Sequence, residues 1–166
     1  MDLRRARVYS KSMRLLIVAF ATLALAAAVP ARAADREPAA EIQPRVDHHI
    51  REATVLVQHF EVLVGAECPH FSNVGEWNAY IEGEIDRMLL LAAHVEQAWV
   101  EAKRTGDDDV RRAAKAPRRR LDDAPQIMDK LAACAERNGA TFEAGRVYRR
   151  IERALPGRQA DIALPR

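Results

Sequence analysis

The chain has 166 residues, 49% of them hydrophobic and 30% charged, and its formal net charge is +2. The excess of positive charge comes from the first 33 residues, which hold six of the 26 lysines and arginines and only one of the 24 acidic residues. Residues 34–166 therefore carry a net charge of −3. The composition therefore gives no support to nucleic-acid binding, which requires a basic domain.

The first 33 residues have the three parts of a secretory signal peptide. Basic residues precede an apolar run, Leu15–Val29, and small residues at positions 31 and 33 predict cleavage before Ala34. The apolar run is 15 residues long, whereas a membrane-spanning helix needs about 20. We therefore expect a periplasmic or secreted protein with no stable membrane span after cleavage.

The remaining 133 residues correspond to one domain. We expect a signal peptide at 1–33, a flexible lead-in at 34–44, a helical domain at 45–157 and a C-terminal tail at 158–166. The chain has two cysteines, Cys68 and Cys134. An even number of cysteines in an exported chain favours a disulfide, and these two allow one intramolecular pairing.

The first predicted helix begins near Arg45 and ends at Gly65. Its apolar residues recur at intervals of three and four, as in a core-facing bundle helix: Val46, Ile50, Ala53, Val57, Phe60 and Val64. A second, longer helix is predicted over Glu76–Arg104. It stops before Gly106, because glycine favours a helix C-terminus.

The third predicted helix is interrupted by proline. It begins after three aspartates at 107–109, whose charges complement a helix N-terminus, and Pro117 breaks it before a further segment at Pro125–Arg137. The last helix is predicted over Thr141–Leu155. Since residues 34–166 contain no run of alternating strand residues, the sequence predicts an all-α fold, an up-and-down four-helix bundle whose third helix is broken by Pro117.

The two halves of the exported chain carry opposite charges. Residues 34–101 have a net charge of −9, and residues 102–166 have a net charge of +6. Helices of opposite charge would attract one another within the bundle, although each exposed pair contributes only about 0–1 kcal/mol. Alternatively, the basic half keeps a face free for an anionic partner.

Histidines and a glutamate on the first helix form a candidate metal site. His48, Glu52 and His59 lie on one helical face, and imidazole and carboxylate groups are ligands for zinc, copper or iron. Since His48 and His59 are about 16 Å apart along a helix, they cannot share one ion. His48 with Glu52 could form a two-point site completed by a partner helix, and the alternative is a solvated face with ordinary titrating histidines.

The tripeptide Cys68-Pro69-His70 resembles the first three positions of the C-P-H-C centre of thioredoxin-like periplasmic oxidants. In that setting, a neighbouring histidine lowers the pKa of the thiol. The resemblance fails at the fourth position, where Phe71 stands in place of a resolving cysteine. Thiol exchange at Cys68 is therefore a weaker alternative function.

Glu84 falls at an inward-tending position of the second helix, between Ile81 and Met88. A buried carboxylate is costly unless it is paired. Either an arginine of the basic half or the hydroxyls of Tyr80 and Tyr148 pair with it, or Ile85 takes the core position and Glu84 lies at the edge.

Arginines form two clusters that could bind an acidic protein or an anionic envelope component. One cluster precedes the fourth helical segment and the other forms a stripe on the last helix: Arg118, Arg119 and Arg120, and Arg146, Arg149, Arg150 and Arg153. The alternative is that these arginines pair with acidic neighbours of the same chain.

Motifs of known catalytic classes are absent from the sequence, including phosphate-binding glycine loops and G-x-S-x-G. We predict no catalytic residue and no required cofactor. The favoured function is an exported, non-enzymatic helical module that binds a protein or envelope component through charged faces. The alternative is a periplasmic metal- or small-ligand-binding bundle, and the apolar stripes could also serve a homodimer.

Overall fold

The computed structural model describes residues 36–165, and every regular element in that range is helical. The elements are α1 (Ala39–Gly65), α2 (Val74–Ala102), α3 (Asp108–Lys115), a 3₁₀ helix (Ala116–Asp123), α4 (Ala124–Arg137) and α5 (Ala144–Asp161). The all-helical fold expected from the sequence is thus confirmed. The predicted signal peptide and its cleavage site lie outside the described residues.

Helices α1 and α2 form an antiparallel pair at the centre of the fold. Asn73 caps the N-terminus of α2, its side chain accepting a hydrogen bond of 3.0 Å from the backbone N–H of Glu76. Buried residues of α2 follow intervals of four and three along its whole length, so one continuous face packs into the core: Trp77, Ile81, Glu84, Met88, Leu91, Val95, Ala98 and Ala102.

Helix α1 begins at Ala39, six residues before the predicted start. Ile42, in the first turns of the helix, is fully buried and belongs to a small core cluster with Val46 and residues of α2 and α3. Pro44 lies within the helix near its start, where little of the hydrogen-bond ladder precedes it. The lead-in expected at 34–44 is therefore helical and packed from residue 39 onward.

The chain returns along α1 through three consecutive pieces, namely α3, the 3₁₀ helix and α4. Pro117 lies at the start of the 3₁₀ helix and is itself buried. At the far end, Cys68 and Cys134 form a disulfide with their Cα atoms 5.2 Å apart. The side chain of Asn138 also accepts a 2.9 Å hydrogen bond from the backbone N–H of Phe71. These bonds fasten the end of α4 to the connector between α1 and α2.

Helix α5 packs along α2 in the same direction. Arg150 forms a two-point ion pair with Glu82 at 2.6–2.7 Å, and Arg158 pairs with an aspartate one turn further along α2. The helix continues to Asp161 with Pro156 inside it, past the predicted end at Leu155. The expected tail at 158–166 is thus helical in its first part.

Residues beyond α5 are also held to the fold. The guanidinium of Arg45 donates to the carbonyl oxygens of Leu164 and Pro165 at 2.7 and 2.6 Å. Within residues 36–165, no helix combines the length and the apolar character that a membrane crossing requires.

Ion pairs connect the acidic half of the chain to its basic half. Six such pairs are present among the described residues: Glu37–Arg104, Glu61–Arg120, Glu82–Arg150, Asp86–Arg158, Glu96–Arg118 and Glu101–Arg104. The opposite charges therefore meet inside one molecule. Most of the pairs are exposed, so each adds only about 0–1 kcal/mol and their main effect is on which faces pack together.

Candidate metal centre

Polar pairs interrupt the apolar interface between α1 and α2 at three levels. In the order of α1 they are Arg45–Glu101, His49–His94 and His59–Glu84. Each pair takes one residue from each helix, and the antiparallel arrangement sets them in reverse order along α2. Buried polar groups need such partners, because an unpaired one loses its hydrogen bonds to water.

Three histidines converge at the middle level. The Nδ1 atoms of His49 and His94 are 3.0 Å apart, and His48 lies beside them. Each of the three offers a ring nitrogen within 4.8 Å of the others, close enough for small side-chain shifts to bring all three onto one metal ion. His49 is fully buried and His94 is 5% exposed, whereas His48 is half-buried and faces the outside of the helix pair.

The environment keeps the two buried imidazoles uncharged. Burial, together with the neighbouring His94 and His48, lowers the pKa of His49 to about 4. Burial also lowers the pKa of His94, against an opposing effect of the negative charge of Glu52. Both rings are therefore neutral at neutral pH, the form in which histidine binds metal ions.

The hydrogen bonding of His49 is incomplete. Only one proton can lie between the two Nδ1 atoms, so one ring donates and the other accepts. The other nitrogen of His49, Nε2, is buried and has no hydrogen-bond partner among residues 36–165. Leaving a buried polar atom unpaired costs roughly 1–3 kcal/mol. The hydrogen bond between the two histidines therefore does not satisfy all the buried polar atoms of the pair.

A buried carboxylate network lies one turn away, toward the start of α1. Arg45 contacts both oxygens of Glu101 at 2.8 and 3.0 Å, and Arg104 donates to the same carboxylate at 2.6 Å. Burial alone would raise the pKa of Glu101, but the hydrogen bonds from the two arginines outweigh it and the pKa is lowered. Gln97 also donates to this carboxylate. The charged network thus lies between the histidines and the small core cluster of Ile42 and Ala102.

The third level contains Glu84, which is 3% exposed and therefore lies in the core. Its carboxylate contacts His59 Nε2 at 2.7 Å and Arg87 at 3.0 Å. The expectation that Ile85 would take the core position in its place is wrong, because both residues are buried. The partners of Glu84 are a histidine of α1 and an arginine of α2.

The structure brings together part of the predicted metal site. His48 meets His94 of the partner helix, and the charge of Glu52, one turn further along α1, acts on that same ring. His59 belongs to the separate level with Glu84. Sequence reasoning left both His49 and His94 out of the site. For His49 the signal was available, because spacings of four and three from Ile42 lead directly to it.

Most of the predicted arginines contact carboxylates of their own chain. Four do so at 2.6–3.3 Å, and a fifth donates to a backbone carbonyl: Arg118 to Glu96, Arg120 to Glu61, Arg146 to Glu143, Arg150 to Glu82, and Arg153 to the carbonyl of Arg149. All seven predicted arginines, Arg119 included, are exposed. Their binding to an acidic partner, like homodimer formation, stays a prediction.

The tripeptide at 68–70 lies in the connector between α1 and α2. Cys68 is bonded to Cys134, and no free thiol is present among the described residues. His70 is exposed. A bridge between a connector and a packed helix fits the structural interpretation of these cysteines, and thiol exchange stays a prediction.

Comparison of the chain with protein-family models, with curated proteins and with solved structures gives no match.

Proposed function

We propose that this chain is an exported helical protein, periplasmic or secreted, that binds one divalent transition-metal ion between α1 and α2. The observation that carries the proposal is the convergence of His48, His49 and His94 on one point. The disulfide between Cys68 and Cys134 is compatible with an oxidising compartment, and the leader pattern in the sequence supports export.

The spacing of the buried nitrogens suits a metal ion. Zinc–nitrogen bonds are about 2.0–2.1 Å long, so two ligands of a tetrahedral ion lie roughly 3.3 Å from each other. The Nδ1 atoms of His49 and His94 are 3.0 Å apart, and a shift of a few tenths of an ångström would separate them enough. The ion would replace the single proton that the two nitrogens now share.

The ligand types restrict the class of ion. Imidazole suits zinc, copper, nickel and iron, whereas calcium and magnesium prefer oxygen ligands. Among divalent first-row ions, copper binds most tightly to a given nitrogen site. The fourth position would fall to water or to Glu52, whose charge already acts on His94.

Metal binding can be tested directly on the metal-free exported protein. We expect calorimetric titration with zinc and copper salts to give one ion per chain, and cobalt to give the visible absorption of a nitrogen-ligated tetrahedral ion. Replacing His48, the half-buried member, by glutamine should weaken binding at least about tenfold, because one ligand is lost. Its position facing the outside makes H48Q the ligand variant least disturbing to the fold.

Two matched variants complete the experiment. His70→Gln removes an exposed histidine of the connector, and His59→Gln removes the histidine of the neighbouring polar level. Both should leave the affinity unchanged. Equal weakening in all three variants, or no binding to the wild-type chain, would show that His49 and His94 form only a structural hydrogen bond.

A further inference from the structure

A second polar site, independent of the histidines, surrounds Trp99 where α2 meets α3. The indole lies at the edge of a hollow of about 480 Å³. Its other lining residues come from the end of α2 and from α3: Lys103, Asp108, Arg111, Arg112 and Lys115. Trp99 is partly buried against the small core cluster of Ile42 and Val46, so the ring is held in place by packing.

Two lysines approach the same indole. The Nζ atoms of Lys103 and Lys115 each lie 5.2 Å from the centre of the Trp99 ring. Residues 34–166 contain only three lysines, all other basic groups being arginines, and two of the three are at this ring. A cation over an aromatic face is favourable, but two ammonium groups beside one ring repel each other. An anion between them would relieve that repulsion.

The arginines of the hollow are incompletely neutralised. The buried Nε of Arg111 has no hydrogen-bond partner within residues 36–165, and the nearest carboxylate oxygen, from Asp108, is 3.9 Å from its Nη1. Arg112 pairs at 2.8 Å with Asp109, which is 87% exposed. Four cations and one acid line the hollow, and with Asp109, the partner of Arg112, counted as well, the excess is two positive charges.

We propose that this hollow binds a phosphate monoester. A dianion matches the charge excess better than a single carboxylate, and an arginine fork with lysine ammonium groups is the donor set that phosphate oxygens favour. The rigid Trp99 ring provides an apolar surface beside the phosphate for the carbon atoms of the ester. The phosphate could belong to a free metabolite or to the headgroup of a lipid, because both present the same chemistry.

The alternative explanation is local. Lys103 directly follows α2 and Lys115 ends α3, where cations favourably face the partial negative charge of a helix C-terminus. In that case the lysines need no ligand, and no saturable binding will be found.

Calorimetric titration of the intact protein with glycerol 3-phosphate, and flotation with phosphatidylcholine vesicles with or without phosphatidic acid, separate these explanations. The double variant K103Q/K115Q should weaken binding by roughly tenfold for each lysine lost. The matched control R51Q/R137Q removes two exposed positive charges, one from α1 and one from α4, and should bind as the wild type does.

Saturable binding of glycerol 3-phosphate assigns the site to a soluble ligand, and binding only to vesicles with phosphatidic acid assigns it to a lipid headgroup. Absence of both overturns the proposal. So does equal weakening in the control, because binding would then follow the net charge. The metal titration depends on other residues. Its result and the result of the phosphate experiment are therefore independent of each other.

Discussion

Acidification should destabilise the metal-free protein through its buried histidines. An unfolded histidine has its ordinary pKa of 6.5, whereas the pKa of His49 in the folded state is about 4. Between these values the unfolded chain binds the extra proton, so the free energy of unfolding falls as the pH decreases. One pKa unit corresponds to about 1.4 kcal/mol, so this one ring should cost roughly 2 kcal/mol between neutral pH and about pH 5, and about 3 kcal/mol at full protonation. His94, whose pKa is also lowered, adds to the same effect.

Urea unfolding followed by far-ultraviolet circular dichroism, in the presence of a chelator, measures this dependence. His49→Gln should flatten the plot of unfolding free energy against pH in this range, whatever its effect at neutral pH. His70→Gln, which removes an exposed histidine, should leave the wild-type slope unchanged. A wild-type free energy that stays constant down to about pH 5, or a H49Q slope equal to that of the wild type, would refute the reasoning.

Three further predictions concern stability at neutral pH. Glu101→Gln should lower the free energy of unfolding by about 3 kcal/mol, because it leaves two partly buried arginines without the buried carboxylate they share. Glu96→Gln, at an exposed ion pair, should change it by about 0–1 kcal/mol. Equal urea midpoints for the two variants would contradict the burial argument. Replacing both Cys68 and Cys134 by alanine should lower the free energy of unfolding by roughly 4 kcal/mol, since the disulfide closes a loop of 66 residues. An unchanged thermal midpoint would show that the disulfide does not constrain the unfolded chain. Glu84→Gln should lower the free energy of unfolding by only about 1 kcal/mol, because an amide still accepts hydrogen bonds from the partly exposed partners. A thermal melt that shows a loss of stability as large as that of Glu101→Gln would be inconsistent with this.

The all-helical fold could be predicted from the sequence because apolar residues recur at intervals of three and four over long segments. This pattern outweighs the signals of single residues such as proline. The spacing of the second helix alone defines its core face from Trp77 to Ala102. Helix ends were less predictable. Pro44 and Pro156 indicated boundaries, yet both lie inside helices, because packing of Ile42 and hydrogen bonds beyond α5 stabilise the flanking turns.

The candidate site was predicted only in part because it depends on which face of α1 is buried. Starting the apolar pattern at Arg45 selects Ile50 for the core, whereas starting it at Ile42 selects His49. A polar residue such as histidine is also not selected as a core residue when hydrophobicity is the only criterion. Its partner, His94, lies 45 residues away, and nothing in the spacing along one helix shows which residue of another helix will face it.

The single disulfide simplifies the oxidative folding of the chain. Because the sequence has just two cysteines, no incorrect bridge can form within one molecule. Oxidative folding of this protein therefore requires an oxidant but no isomerase to reshuffle mispaired intermediates. A cell that forms this disulfide needs only the first of these two catalysts.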